Sequence, residues 1–222
     1  MCGIIGYIGF RKASEIILKG LKKLEYRGYD SAGIATIDSN IKIIKEAGKI
    51  EEIDKIKNFT SLQGNIGIGH TRWATHGGVN AENAHPHTDS QGKISLVHNG
   101  IIENFEELKK QLENKGHLFK SQTDTEIIAH LIEEELKNSK DFLEAFNRAI
   151  FKLSGSWSVV CIYEKENAIF LSRNGPPLII GIGKGEMFCA SDVPAVLEYT
   201  KEVIFLEDGD IAVLKKDSYE IF

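Results

Sequence analysis

The order of the predicted elements indicates an α+β fold in which two sheets pack on each other and helices lie outside them. Segments with the character of strands occupy both ends of the 222-residue chain, and most of the helical periodicity falls between them. This order argues against a parallel sheet built from alternating βαβ units. No repeat or Pro/Gly-rich linker divides the sequence, so we predict a single domain over residues 1–222.

The first hundred residues predict several strands and two helices. CGIIGYIGF (2–10) is a strand whose glycines permit close approach of another backbone, and KASEIILKGLKKLE (12–25) carries large aliphatic residues at helical spacing. The other elements are the strands SAGIATID (31–38), IKIIKEAG (41–48), GNIGIGHTRW (64–73) and KISLVHNG (93–100), and the short helix EEIDKIKNF (51–59). The polar connection at residues 74–89 is long, which is typical of a functional loop.

The second half of the chain predicts three helices followed by a run of strands. NFEELKKQLENKG (104–116) ends at Gly116, a residue type that favours the end of a helix. Two further helices, DTEIIAHLIEEELKN (124–138) and DFLEAFNRAIFKL (141–153), follow it. Turn residues separate these strands, which are SWSVVCIYE, AIFLSR, LIIGIG, EMFCAS, VIFLED and DIAVLKK.

Composition excludes several classes of function. The net charge of −5 gives no basic field that would attract nucleic acid. No segment has the length of a membrane span, and MCGIIGYIGF lacks the basic region of a signal peptide. The three cysteines have no disulfide-like spacing. We therefore expect a reduced, cytoplasmic protein that binds neither nucleic acid nor membrane.

Cys2 is the first candidate nucleophile. If Met1 is removed, Cys2 becomes terminal, and its α-amine, with a pKa of about 7.7–8.0, is a base tethered beside the sulfur. The alternative is that a cysteine stands at position 2 incidentally. Position alone favours that alternative, so the assignment depends on other residues.

Three polar segments have both a structural and a catalytic interpretation. Asn99-Gly100 is a strong hairpin signal, but a helix rather than a returning strand follows it. At a strand end, the carboxamide and the glycine N–H could instead stabilise an oxyanion. Arg72 could make a surface ion pair or bind a carboxylate through two hydrogen bonds. Asp124 could cap a helix or, together with Arg72, hold a zwitterionic amino acid.

Five histidines and Asp89 are concentrated in one stretch of the chain. The histidines are His70, His76, His85, His87 and His98. A metal site is one interpretation, but none of the recognised metal-binding spacings is present. We expect these residues to stabilise the loop or to contact substrate, and we predict no metal site.

Six motifs occur in an order that resembles the glutaminase domain of glutamine–fructose-6-phosphate aminotransferase (isomerising). They are CGIIGYIG, LEYRGYDSAGIA, GHTRWATHG, NAHPH, HNGIIENFEEL and SQTDTE, within residues 2–130. The resemblance implies a class II glutamine amidotransferase of the N-terminal-nucleophile (Ntn) hydrolase superfamily, with a four-layer αββα sandwich of two antiparallel sheets flanked by helices. It implies hydrolysis of L-glutamine to L-glutamate and ammonia without a metal or organic cofactor.

The same resemblance implies roles for the matching residues. Cys2 attacks the side-chain amide of glutamine, while its freed α-amine takes up the thiol proton and passes it to the departing ammonia. Asn99 and the N–H of Gly100 form the oxyanion hole. The substrate-binding residues are Arg72 for the α-carboxylate, Asp124 for the α-ammonium, and Thr75 and His76 for further contacts. Arg27 positions the nucleophile, Trp73 gates the passage of ammonia, and residues 72–81 resemble a lid.

The family enzyme continues into a sugar-isomerase part that has no counterpart in these 222 residues. In the full-length enzyme, which the resemblance implies to be a homodimer, the ammonia is transferred to fructose 6-phosphate to make glucosamine 6-phosphate for hexosamine biosynthesis. We expect this chain alone to hydrolyse glutamine without making the sugar product.

Three alternative functions remain at this point. The glutaminase domain of amidophosphoribosyltransferase also begins with Cys-Gly, but it typically has HRGQESAG and TRYST where this chain has YRGYDSAG and TRWAT. A non-catalytic or metal-binding module could use the cluster from His70 to His98. Finally, a thiol hydrolase could pair Cys2 with a histidine, and its activity would survive when Met1 is retained.

Overall fold

The computed structural model describes residues 2–73 and 77–222 and arranges them as an α+β fold. The elements of the first half are β1 (Gly3–Ile8), α1 (Ala13–Leu24), β2 (Ser31–Ile37), β3 (Ile41–Ala47), α2 (Ile50–Lys57), β4 (Ile66–Arg72), β5 (His87–Thr88) and β6 (Ile94–Ile102). Those of the second half are α3 (Phe105–Glu113), α4 (Glu126–Leu136), α5 (Phe142–Ile150), β7 (Gly155–Tyr163), β8 (Ile169–Asn174), β9 (Ile179–Ile182), β10 (Met187–Ala190), β11 (Val203–Phe205), β12 (Ile211–Lys215) and β13 (Ser218–Ile221).

The strands form two sheets, whose strand pairs in the described residues are all antiparallel. One sheet has seven strands in the order β11-β9-β10-β1-β4-β2-β3, and the other has six in the order β13-β12-β8-β7-β6-β5. Each sheet combines strands that precede the helices α3 to α5 with strands that follow them. Within the described residues, no helix combines the length and the apolar character that a membrane span requires.

Three hydrophobic cores hold four layers together. The central core lies between the sheets and contains Ile4 and Ile68 of the seven-stranded sheet and Val97 and Val160 of the six-stranded sheet. A second core joins α1 and α2 to the outer face of the seven-stranded sheet, and a third joins α3, α4 and α5 to the outer face of the six-stranded sheet. Each large aliphatic side chain that is fully buried contributes about 1.5–3 kcal/mol. The predicted αββα sandwich is confirmed.

Alternation along β4 assigns each side chain to one of two layers. Ile66 and Ile68 face the other sheet, whereas Gly67 and Gly69 face α1. A Cβ atom on Gly69 would lie 2.4 Å from Cγ2 of Ile17 in α1. The absence of side chains at the two glycines thus lets α1 lie close to the sheet, and Ile17 fills the space.

The end of β6 differs from the sequence prediction. The strand does not stop at Gly100; it continues to Ile102, which pairs with Gly155 of β7. The expected strand end at Asn99-Gly100 is therefore wrong, and so is the hairpin interpretation, because Asn99 and Gly100 pair with Ser158 and Trp157 of β7. The physical reason is that β7 is nine residues long and supplies backbone partners beyond the Asn-Gly pair.

The close contact between α1 and β4 makes a stability prediction. We expect Gly69→Ala to lower the free energy of unfolding by about 1–3 kcal/mol, because the added methyl overlaps Ile17. Urea denaturation measures this change. Gly78→Ala is the matched control, since the nearest atom to a Cβ there is 3.9 Å away. Equal stability of the two variants would contradict the packing described here.

Candidate active site

The register between β1 and β4 places Cys2 beside the end of β4. Gly3 pairs with Thr71, so the preceding residue lies next to Arg72 and Trp73. The backbone N–H of Trp73 donates a hydrogen bond of 3.2 Å to Sγ of Cys2, and the thiol lies 3.6 Å from the carbonyl oxygen of Trp73. Burial raises the pKa of the Cys2 thiol above its ordinary value, although the hydrogen bond from Trp73 opposes this shift. The thiol is therefore protonated at neutral pH and needs a base to become a nucleophile.

Asn99 is oriented by hydrogen bonds at both ends of its carboxamide. Its Nδ2 donates to the carbonyl oxygen of Cys2 at 2.9 Å, and its Oδ1 lies 3.0 Å from Nε2 of His70. Because Oδ1 can only accept, Nε2 of His70 carries the hydrogen. Burial lowers the pKa of His70 to about 3, so the imidazole is neutral at physiological pH. The amide nitrogen retains a second hydrogen, which can be donated to a developing oxyanion.

Gly100 cannot be replaced by a larger residue without moving β7. Its φ of +133° lies in a region that favours glycine. A Cβ atom there would lie 2.0 Å from the carbonyl oxygen of Ser156. The absence of a side chain therefore permits the backbone conformation next to Asn99.

Arg72 and Asp124 are buried, and the structural alternatives for both are wrong. Arg72 is only 4% exposed, so its guanidinium does not lie at the surface, and its Nη1 donates to the carbonyl oxygen of Gly78 at 3.3 Å. Asp124 is 7% exposed and does not cap α4; its Oδ2 accepts a 2.8 Å hydrogen bond from the backbone N–H of Ile102. A buried cation and a buried anion are thus available to the same site.

One small polar cavity brings most of the predicted residues together. It is lined by Cys2, Arg72, Trp73, His85, His98, Asn99, Gly100, Thr123, Asp124 and Thr125. Thr75 and His76, which the sequence also predicted, lie outside the described residues. The cavity therefore contains a thiol, an amide donor and two opposite charges, which suits a small zwitterionic substrate.

Arg27 and Trp73 lie next to Cys2. Nε of Arg27 donates to the carbonyl oxygen of Cys2 at 3.2 Å, and its Nη1 makes a 2.9 Å ion pair with Asp192. The side chain of Trp73 is half exposed and packs edge-on against Tyr29, with 5.4 Å between ring centroids. Asp192 was not predicted from sequence, because it lies 165 positions from the arginine that it holds.

Four of the predicted histidines pack against each other without forming a metal centre. The rings of His70 and His85 stack at 4.1 Å, and His85 meets His87 edge-on at 4.7 Å. Nδ1 of His98 lies 2.9 Å from Oγ1 of Thr125. Burial lowers the pKa of each of these four imidazoles. Among the described residues, no three of them bring ligand atoms together as a metal would require, and none hydrogen-bonds the sulfur of Cys2.

A larger cavity lies elsewhere in the fold, and no cysteine is among its lining residues. It has a volume of about 640 Å³ and is lined by residues that include Ile43, Lys45, Pro86 and Glu126. Lys45 is occupied there, because its Nζ donates to the carbonyl oxygens of Glu82, Ala84 and Pro86. The Cys2 cavity is therefore the better candidate for covalent chemistry.

The sequence matches a known family and several named relatives. The family described as "Glutamine amidotransferase domain" matches residues 70–198. The chain is 60% identical to glutamine–fructose-6-phosphate aminotransferase (isomerising) of Thermococcus kodakarensis over 223 residues, and 51% identical to the enzyme of the same name from Thermus thermophilus over 222 residues. These alignments cover 100% of this chain but only 37% and 36% of the relatives, so the chain spans just over a third of their length.

Two solved structures share the fold. The glutamine phosphoribosylpyrophosphate amidotransferase of B. subtilis superposes with a TM-score of 0.87 and 28% identity, covering 100% of this chain and 49% of the other. The allosteric regulatory enzyme of purine biosynthesis superposes with a TM-score of 0.89 and the same identity, covering 100% and 48%. The amidophosphoribosyltransferase alternative is therefore matched only at the level of the fold, which is that of the Ntn hydrolases.

Burial of neutral His70 predicts a pH dependence of stability. Its pKa falls from 6.5 to about 3 on folding, so the unfolded chain takes up a proton that the folded chain does not. The contribution of neutral His70 to the free energy of unfolding is fully present above pH 6.5 and decreases as the pH falls below that value. Between pH 7 and pH 5 we expect His70 to account for a loss of about 2 kcal/mol, which His70→Gln should remove. Urea denaturation at both pH values measures it; an unchanged pH dependence in the variant would exclude this origin.

Proposed function

We propose, because the chain belongs to the glutamine amidotransferase domain family, that it hydrolyses L-glutamine to L-glutamate and ammonia with Cys2 as the nucleophile. One observation carries the assignment to this site. The Cys2 thiol, the Asn99 amide and the pair Arg72 and Asp124 converge on a single cavity. Nucleophile, oxyanion donor and two charges for an amino acid are the parts that this reaction needs.

The first step forms a thioester. Removal of Met1 frees the α-amine of Cys2, which accepts the thiol proton as the sulfur attacks the side-chain carbonyl carbon of glutamine. The new C–S bond forms while the carbonyl electrons move to oxygen, where Nδ2 of Asn99 and the N–H of Gly100 donate hydrogen bonds. The C–N bond then breaks, and the ammonium formed on Cys2 returns the proton to the departing ammonia.

The second step regenerates the enzyme. Water attacks the thioester carbon and transfers a proton to the α-amine of Cys2, and the same two donors stabilise the second tetrahedral intermediate. Collapse of the intermediate breaks the C–S bond and releases glutamate, while the sulfur recovers its proton. Every group that takes part in these two steps belongs to the protein, to glutamine or to water.

Substrate orientation rests on the two buried charges. The guanidinium of Arg72 binds the α-carboxylate, and the carboxylate of Asp124 binds the α-ammonium. Thr75 and His76 are proposed to add contacts to the same substrate. Arg27 supports the nucleophile through its hydrogen bond to the carbonyl oxygen of Cys2, and Trp73 is proposed to gate the passage of ammonia.

The relatives suggest the use of the ammonia. They are named for an aminotransferase reaction on fructose 6-phosphate, and this chain aligns with just over a third of their length. We propose that residues 1–222 act as a single glutaminase domain that works with a sugar-isomerase domain. The joint reaction delivers ammonia to fructose 6-phosphate to give glucosamine 6-phosphate in the cytoplasm, in a homodimeric full-length enzyme.

Replacement of the thiol tests the nucleophile. We expect Cys2→Ala to abolish release of glutamate from glutamine, because no other thiol lines the cavity. Coupled glutamate assay measures the rate. Intact mass of the wild-type protein, before and after a glutamine-analogue electrophile, reports both loss of Met1 and modification of Cys2. Undiminished turnover by Cys2→Ala, or full activity of protein that retains Met1, would refute the mechanism.

Single substitutions at the two charged residues test substrate binding. We expect Asp124→Asn and Arg72→Lys to raise KM for glutamine by about 10–100-fold, because each loses a charged hydrogen bond of about 1.5–3 kcal/mol. Arg148→Lys is the control, since Arg148 is exposed on α5 and pairs with Glu144. Steady-state kinetics distinguish the variants. Unchanged KM in both cavity variants would remove Arg72 and Asp124 from the substrate site.

A further inference from the structure

A second group of histidines lies away from the cavity, at α4. His117 follows α3, whereas His130 and Glu133 lie one turn apart on α4. Nδ1 of His117 is 3.1 Å from Nδ1 of His130, and Oε2 of Glu133 is 3.4 Å from each of these nitrogens. Three potential metal-ligand atoms therefore form a nearly equilateral triangle.

The size of this triangle matches the coordination shell of zinc. Bonds of about 2.0–2.1 Å in tetrahedral geometry separate neighbouring ligand atoms by about 3.3 Å. The three distances of 3.1, 3.4 and 3.4 Å need almost no adjustment to reach that value. Both histidines are buried, at 5% and 1% exposure, so their positions are fixed by packing.

Nε2 of His117, the nitrogen that faces away from the triangle, has a carboxylate partner, as is usual for a histidine that binds a metal through its other nitrogen. Nε2 of His117 lies 3.2 Å from Oε2 of Glu134. Because a carboxylate oxygen accepts, Nε2 carries a hydrogen, and the lone pair on Nδ1 is available to a metal. This carboxylate–histidine arrangement is common around zinc.

The charges around the triangle favour a divalent cation. Glu134 pairs with Lys115 and Lys137, but no lysine or arginine in the described part of the chain forms an ion pair with Glu133. The backbone N–H of Ser90 donates to Oε2 of Glu133 at 3.1 Å, and Oγ of Ser90 is 3.3 Å from Nδ1 of His130. The hydroxyl of Ser90 therefore lies next to one of the three candidate ligand atoms.

We propose that His117, His130 and Glu133 bind one Zn²⁺ ion, with a structural role. Two imidazoles and a carboxylate are a ligand set that zinc accepts. The ion would join α4 to the segment that follows α3 and to the turn at Ser90. His117 and His130 lie before and after Asp124 in the sequence, so the ion would anchor both ends of the segment that carries Asp124. The inference does not depend on the glutaminase reaction.

Zinc titration of chelator-treated protein tests the site. With a competing chromophoric chelator, we expect one tight equivalent of zinc per chain in the wild type and in Cys2→Ala. His117→Gln and Glu133→Gln should weaken this binding at least about 100-fold. Glu135→Gln is the matched control, because Glu135 pairs with Lys152 instead of the imidazoles, and it should bind as the wild type does.

Thermal unfolding provides a second, independent readout. Zinc should raise Tm of the wild type and of Cys2→Ala by at least about 4 °C and should leave His117→Gln unchanged. Far-UV circular dichroism in chelator shows that the variants are folded before zinc is added. Binding that disappears in Cys2→Ala but persists in His117→Gln would place the ion at the thiol and overturn the proposal. If the wild type binds no tight equivalent of zinc, the three side chains form only a hydrogen-bonded cluster of imidazoles and a carboxylate. That result would also overturn the proposal.

Discussion

The antiparallel register of β1 against β4 is the constraint on which the active-site arrangement depends. Gly3 opposite Thr71 brings Cys2, near one end of the chain, next to Trp73. A shift of one residue would exchange the two faces of β1 and move Ile4 out of the core between the sheets. The apolar contacts that stabilise the sandwich therefore also locate Cys2, the candidate nucleophile.

The fold was largely predictable because its elements carry strong local signals. The helical spacing of Ile17 and Leu21 and the apolar strands at both ends led to α+β, and the ordered motifs added the four layers. The two short strands β5 and β13 were not predicted, since two or four residues give no periodicity. The end of β6 was placed too early because Asn99-Gly100 is a turn signal, and pairing with β7 overrides it.

The sequence indicated several residues that line the candidate site, but not the contacts that hold them in place. Cys2, Arg72, Asn99, Gly100 and Asp124 line one cavity. Sequence reasoning did not supply the partner of each: Asp192 for Arg27, or the backbone of Ile102 for Asp124. Such contacts join positions that the sheets bring together, so no local pattern encodes them. His117 and His130 were likewise overlooked, because 13 positions separate them and neither lies in a recognised metal spacing.

The hydrogen bond from the backbone N–H of Ile102 to Asp124 sets the position of this carboxylate relative to β6. Ile102 is three residues beyond Asn99 on β6, so this strand positions both the carboxylate proposed to hold the α-ammonium and the carboxamide proposed to meet the oxyanion. In the proposed reaction, the distance between the Asp124 carboxylate and the Asn99 carboxamide determines which length of substrate side chain fits between them. Asparagine, one methylene shorter than glutamine, would present its amide short of the sulfur when its ammonium is bound. Selectivity between these two amino acids would then be a property of the β6 backbone rather than of any side chain that contacts the amide.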